Sequence, residues 1–154
     1  MRKILLTAIL VIGCAVLTTI QAQEKKLERK DLPAAVEKTV ARESKDATIK
    51  GFATEKEDGV KTYEVELIVN GHSKDISMDA AGNVLEIEEE VSMDSVSADV
   101  KAGLTAAAGT GTITMVESLT KKDKLVAYEA HVTDGKKHRE IQVGPDGKKL
   151  KRPE

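Results

Sequence analysis

The chain has 154 residues, of which 26 are acidic and 24 basic, so its formal net charge is −2. This balance argues against nucleic acid as a partner, because DNA and RNA binding depends on an excess of positive charge. Its one cysteine, Cys14, lies in the apolar N-terminal stretch, so the remainder of the chain offers neither a disulfide nor a thiolate for catalysis or metal binding.

Residues 1–22 have the pattern of a secretory signal peptide. A basic start precedes a largely apolar run over 4–20, and the small residue Ala22 lies just before a highly charged stretch. We predict cleavage near Ala22, a periplasmic or secreted location and no stable membrane span afterwards. Two alternatives stay open: a retained anchor, since the run is at the short end of what spans a bilayer, and a lipoprotein acylated at Cys14 in a lipobox-like sequence.

Residues 23–30 form a short charged leader, which we predict to be a mobile tether. A helix is predicted to follow, with Asp31 as its N-cap and Pro33 in its first turn. Val36 and Val40, four residues apart, indicate the apolar stripe of this helix.

The same stripe returns at Val96, Val100 and Leu104, which predicts a second helix. Gly103 lies inside it. A glycine there costs about 1 kcal/mol relative to alanine, unless another segment packs closely against that position.

A sequence pattern typical of strands and turns occurs twice, over 63–85 and 128–150. The two copies match without a gap at tyrosine, glycine and leucine positions, and each breaks at a turn, Asn70-Gly71 in one and Asp134-Gly135 in the other. With a further strand after each helix, the pattern predicts an α+β fold of two αβββ repeats, each an antiparallel sheet with one helix packed on its apolar face.

We place the repeats at 31–90 and 91–154, the second with a basic tail that has no core to join. The acidic segment 86–90 is predicted either to extend the last strand of the first repeat or to link the two. Units of this size have marginal cores. We therefore expect the repeats to pack as one cooperative body, sheets side by side or edge to edge, with a continuous surface.

Apolar and polar residues alternate along the strands, so one sheet face should pack on the helix and the other should be solvated. Tyr63, Val65 and Leu67 belong to the first face. The predicted partner-binding residues belong to the second face: Glu64, Glu66, Asp75, Ser77, Glu129, His131, Glu140 and Gln142.

Three motifs carry a resemblance to a known group. They are Leu32-Pro33-Ala34-Ala35-Val36 at the first helix, Tyr63-Glu64-Val65 in a strand, and Gly82 shortly before Val84-Leu85. Over 31–150 the chain resembles a tandem of PepSY-like domains, the group also described as β-lactamase-inhibitor-protein-like (BLIP-like). The second copy lacks the proline and has Lys149 where valine is expected. The resemblance implies an exported bacterial protein without enzymatic activity, thought to bind or inhibit peptidases or other envelope hydrolases, and it supplies no catalytic residues.

The sequence favours no enzyme, cofactor or metal. The three histidines are scattered, and no serine lies in a G-x-S-x-G motif. His131 and His138 could approach across a hairpin and form a weak metal site with Glu129 or Glu140, but a solvated sheet face is the favoured interpretation of these residues.

The leading hypothesis is an exported, monomeric, non-enzymatic binding module. Its polar sheet face is expected to bind a protein or peptide of the cell envelope. The resemblance implies that this partner is a peptidase or another hydrolase, which the module binds or inhibits. The alternative is a cation or small-ligand binding protein that uses the acidic first repeat. Residues 31–90 carry 15 acidic and 7 basic residues, whereas 91–154 carry 9 and 11. This asymmetry motivates the alternative.

Overall fold

The structure is a computed structural model that describes residues 25–57, 60–150 and 152–154. The predicted signal peptide, its cleavage site and Cys14 lie outside the described residues. One antiparallel sheet contains eight strands, in the order in which they follow along the chain. The elements are β1 (Lys25–Leu27), α1 (Ala34–Glu43), β2 (Thr48–Glu57), β3 (Val60–Val69), β4 (His72–Met78), β5 (Val84–Glu90), α2 (Ala98–Ala108), β6 (Thr112–Lys121), β7 (Lys124–Asp134) and β8 (Lys137–Val143).

The fold is α+β, as predicted, but the division into two αβββ repeats is wrong. The reason is β5, which pairs with β4 on one edge and with β6 on the other. Ile87 lies opposite Ile76 of β4 and Thr120 of β6. Pairing on both edges leaves neither half of the sheet with an open inner edge. The halves therefore meet edge to edge in one continuous sheet, which agrees with the expected shared surface.

Each helix packs on its own part of the apolar sheet face. Under α1 the fully buried side chains include Val65 and Ile76, with Ile87 half-buried beside them. Under α2 they include Leu104 and Val132. The predicted alternation along β3 is confirmed, since Tyr63, Val65 and Leu67 are buried whereas the two glutamates between them are half-exposed.

Two glycine turns fix the helices against the sheet. Gly82 follows β4 and Gly147 follows β8, and both have φ near +75°, where a side chain is strained. A Cβ on Gly82 would overlap the carbonyl of Ala35, and one on Gly147 would overlap the carbonyl of Asp99. The repeated glycine thus lets the turn contact the first turn of each helix.

The N-terminal segment differs from its prediction. Lys25–Leu27 form a strand paired with Phe52–Thr54, so these residues are not a mobile tether. Asp31 lies in a short 3-10 helix, and α1 begins after Pro33. The helix begins later than predicted because Leu32 is extended, as is favoured for a residue before proline. Arg29 contacts Glu37 at 2.7 Å, and this pair joins the 3-10 turn to α1.

Candidate functional site

The sheet face opposite the helices contains a trough of about 370 Å³. Every strand from β2 to β8 contributes at least one lining residue. Eight of the lining side chains are carboxylic acids, and none is lysine or arginine. The lining residues are Glu55, Glu64, Ser73, Asp75, Ser77, Glu86, Glu88, Met115, Glu117, Glu129, His131 and Glu140. We call this feature the acidic trough.

Strand register brings like charges together in and beside the acidic trough. Asp75 lies directly opposite Glu66 on one neighbouring strand and Glu88 on the other. Glu117 lies directly opposite Glu129. Directly opposed residues of antiparallel strands project from the same face, and like charges in such pairs are destabilising. The fold therefore retains an arrangement that its stability alone would disfavour.

The centre of the acidic trough is buried, although this face was predicted to be solvated. Glu117 is 3% exposed and Glu129 is 7% exposed. Glu117 Oε2 lies 2.8 Å from His131 Nε2, and Gln142 Nε2 donates to Glu129 Oε2 at 2.7 Å. Polar side chains converging from adjacent strands shield one another from water, so the expectation of a fully solvated face is wrong here.

Burial raises the pKa of several trough carboxyl groups. It raises the pKa of Glu88 to about 8, with repulsion from Glu86 as the next cause. It raises the pKa of Asp75 to about 6, assisted by the charges of Glu117 and Glu66. The pKa of Glu129 is also raised, again mainly by burial. Near neutral pH some of these groups retain protons, because neither water nor a basic side chain compensates their charge fully.

Three side chains of the acidic trough have a geometry compatible with a metal ion. One ligand atom each from Glu117, Glu129 and His131 lies within 4.8 Å of the other two. Two carboxylates and an imidazole suit a transition metal such as Zn²⁺ or Mn²⁺. The weak site predicted from sequence shares Glu129 and His131 with this group, but its other histidine, His138, is not part of it.

The structure brings together six of the eight residues predicted from sequence to bind a partner: Glu64, Asp75, Ser77, Glu129, His131 and Glu140 all line the acidic trough. The other two lie beside it, Glu66 over Gly51 and Gln142 in contact with Glu129.

Six lining residues were not among the predicted ones: Glu55, Ser73, Glu86, Glu88, Met115 and Glu117. Glu86 and Glu88 belong to the acidic segment 86–90, whose pairing with strands on both sides was not predicted. For Glu117 the available signal was its position next to Val116 in a β-rich run, where neighbouring residues face opposite sides of the sheet.

Part of the C-terminal segment contacts the same sheet face. The backbone amide of Glu154 donates to Gln142 Oε1 at 2.8 Å. Pro153 and Glu154 also line an adjoining cleft together with Glu86 and Lys121. The basic tail was predicted to have no core to join, but Pro153 and Glu154 lie against the sheet.

Within the described ranges, neither helix is long and apolar enough to cross a membrane.

No family model and no curated protein matches this sequence. Solved structures with a similar fold include a DUF2874 family protein from Bacteroides ovatus, with TM-score 0.58, 19% identity and coverage of 78% of this chain and 85% of that one. A BLIP-like protein from Bacteroides fragilis has TM-score 0.53, 21% identity and coverage of 75% and 81%. A provisionally assigned periplasmic protein from Bacteroides eggerthii has TM-score 0.61, 17% identity and coverage of 78% and 86%. These similarities support a BLIP-like fold. They do not establish the tandem PepSY-like assignment.

Proposed function

We propose that this protein is an exported, non-enzymatic binding module of the cell envelope and that the acidic trough is where it binds a protein or peptide. The observation that carries the proposal is the set of like-charged side chains held directly opposite one another on the sheet face without helices. Such an arrangement lowers stability, and natural proteins depart from stable arrangements mainly at functional sites.

Similar proteins support the assignment to this class. One structural neighbour is BLIP-like and another is provisionally assigned to the periplasm, which fits the predicted signal peptide at 1–22. Periplasmic or secreted release follows from cleavage near Ala22, and acylation at Cys14 is the alternative. Where the partner is a peptidase or another hydrolase, binding over its substrate cleft inhibits it.

Charge reversal tests the trough as the binding surface. Glu64 on β3 and Glu140 on β8 both line the trough, and replacing both by lysine should abolish cross-linking to a partner in envelope extract. A matched control replaces Asp46 and Asp94, exposed residues outside the trough, by lysine. Equal loss of the cross-linked partner in both variants, or loss in neither, contradicts the proposal.

A second candidate function is cation binding, which the proximity of Glu117, Glu129 and His131 favours. All three residues belong to β6 and β7 in the second half of the sheet, whereas the sequence pointed to the acidic first half. Calorimetry with CaCl₂, ZnCl₂, MnCl₂ and spermine tests it. Glu117→Gln should remove the heat of binding while Glu89→Gln, on the same sheet but outside the trough, preserves it. Absence of heat with all four compounds removes this candidate.

A further inference from the structure

We infer that the occupant of the acidic trough is an extended segment of a protein partner, rich in lysine and arginine, that lies across the strands rather than along them. The inference rests on the proposed function and specifies the partner's chemistry and direction. It depends on the charge of the trough, on its dimensions and on a peptide contact that the chain itself makes with this face.

The charge of the acidic trough is complementary to a polycation. Its lining includes eight carboxylic side chains and no lysine or arginine, and Lys121 pairs with one of them, Glu86, at 2.9 Å from outside the lining. Glu88 lies in the middle strand, and the neighbouring acidic groups repel its ionised form. A lysine or arginine inserted here would gain charge-assisted hydrogen bonds and remove that repulsion.

The trough's extent matches a peptide better than a single ion. An ion at Glu117, Glu129 and His131 would contact only the part of the trough on β6 and β7, whereas the acidic lining continues to Glu55 on β2. Adjacent strands are about 4.8 Å apart, so the seven lining strands span roughly 29 Å, and an extended chain advancing about 3.3 Å per residue covers that distance with about nine residues. Alternate residues of such a chain present about four or five basic side chains to the trough.

The C-terminal segment makes a backbone contact with a side chain of this face. The amide of Glu154 donates to the side chain of Gln142, which itself donates to Glu129 at the centre of the trough. A backbone amide therefore already pairs with a side chain of the open face. Other side-chain carbonyls and carboxylates of this face can accept hydrogen bonds from the backbone amides of a partner segment in the same way.

The test uses the purified protein and fluorescein-labelled peptides of about nine residues, alternating lysine with alanine or glutamate with alanine. Fluorescence anisotropy should detect the lysine peptide but not the glutamate peptide. Affinity should fall steeply between about 20 and about 200 mM NaCl, because binding depends on ion pairing.

Matched double variants locate the binding. Asp75→Asn with Glu88→Gln should weaken the lysine peptide at least about ten-fold, while Asp46→Asn with Asp94→Asn, which neutralises two exposed carboxylates outside the trough, should change it less than about two-fold. Circular dichroism verifies that both variants are folded. Equal weakening in the two variants indicates attraction by net charge and overturns the inference.

Two further outcomes separate the inference from the proposed function. If the lysine peptide does not bind while Glu64→Lys with Glu140→Lys still abolishes partner cross-linking, the cationic occupant is wrong and the proposed function stands. If the lysine peptide binds in the trough but trough reversal leaves the envelope partner bound, the inferred chemistry stands and the proposed function fails.

Discussion

The two halves of the molecule make the same contact between a helix and a turn by different means. In the first half, Thr39 Oγ1 donates to the carbonyl of Gly82 at 2.7 Å, so at this position of α1 a side chain makes the contact with the turn. The matching position in α2 is Gly103, and the carbonyl of Gly147 occupies the space where its Cβ would lie. A residue that helix propensity disfavours is thus required by a close backbone approach.

The halves also differ in what they contribute to the acidic trough. The first half supplies Asp75 and Glu88, whose pKa values are raised by burial and by repulsion from neighbouring carboxylates. The second half supplies the buried pair Glu117 and Glu129 and the histidine beside them. Neither half contains the whole trough. It exists because β5 joins the two half-sheets.

The largest expected effect concerns Gly103. Replacing glycine by alanine inside a helix normally stabilises by about 1 kcal/mol, but here the added methyl group meets the carbonyl of Gly147. We expect Gly103→Ala to destabilise the protein by about 3 kcal/mol or more, because backbone must move to accommodate it. Urea unfolding measures the change.

Thr105→Ala is the control for Gly103→Ala. Thr105 is exposed on the same helix, and its hydroxyl contacts only the carbonyl of Lys101 among the hydrogen bonds of the described residues. Helix propensity should make this variant neutral or slightly more stable. If Gly103→Ala is equally harmless, the close approach of the turn does not constrain the helix.

A smaller effect tests whether the halves unfold together. Val40 is fully buried under α1, so Val40→Ala should lower the free energy of unfolding by about 2 kcal/mol. The joined sheet predicts a single thermal transition that shifts as a whole, including any signal from the second half. A second transition that stays at its original temperature would show that the halves unfold independently.

Stability should fall as pH rises because of Glu88. Its pKa in the folded protein, about 8, lies above its ordinary value of 4.5, so the folded state binds the proton more tightly than the unfolded state does. The resulting stabilisation is complete below pH 4.5 and is lost as pH rises through about 8. Glu88→Gln mimics the protonated form. After allowance for solvent screening, it should stabilise by about 1 to 2 kcal/mol at alkaline pH and little in acid.

Glu89→Gln is the control for Glu88→Gln, because Glu89 is exposed on the adjacent position and contacts Lys74 at 3.6 Å. Thermal unfolding at a series of pH values should show no alkaline gain for this variant. An identical pH profile for wild type and Glu88→Gln would contradict the raised pKa.

Local patterns predicted the faces of the strands but not their connection. The alternation around Val65 identified the apolar face of β3 because a strand has a period of two residues. In β5 the same period ends after Ile87, since Glu89 holds the next position on that face and 88–90 are all acidic. Its pairing with β4 and β6 depends on register across distant segments, which no local pattern encodes.

The sequence predicted which residues lie on the polar sheet face, but it did not predict that the centre of the acidic trough is buried. Alternation assigned Glu129 and His131 to the polar side of β7, but burial of Glu129 depends on Glu117 from β6 and Gln142 from β8. Side chains that are polar in sequence become buried when neighbouring strands bring others against them. That step requires the sheet, and it is where the expectation of a solvated face is wrong.

The smallest expected effect compares two tight hairpins. Asn70-Gly71 joins β3 to β4, and Lys122-Asp123 joins β6 to β7, and all four residues have positive φ. Two consecutive residues of this kind are typical of a type I′ turn, for which Asn-Gly is the preferred pair and lysine is strained. Replacing Lys122-Asp123 by Asn-Gly should therefore stabilise by about 1 kcal/mol, which raises Tm by about 4 °C.

The reciprocal change, Lys-Asp in place of Asn70-Gly71, should lower Tm by a similar amount. Together the two variants isolate turn chemistry, because both hairpins contain the same number of turn residues and carry strands on either side. Tm measured by calorimetry should move in opposite directions for the two changes. Movement in the same direction would show that contacts of these side chains, rather than the positive φ of the turn, determine hairpin stability.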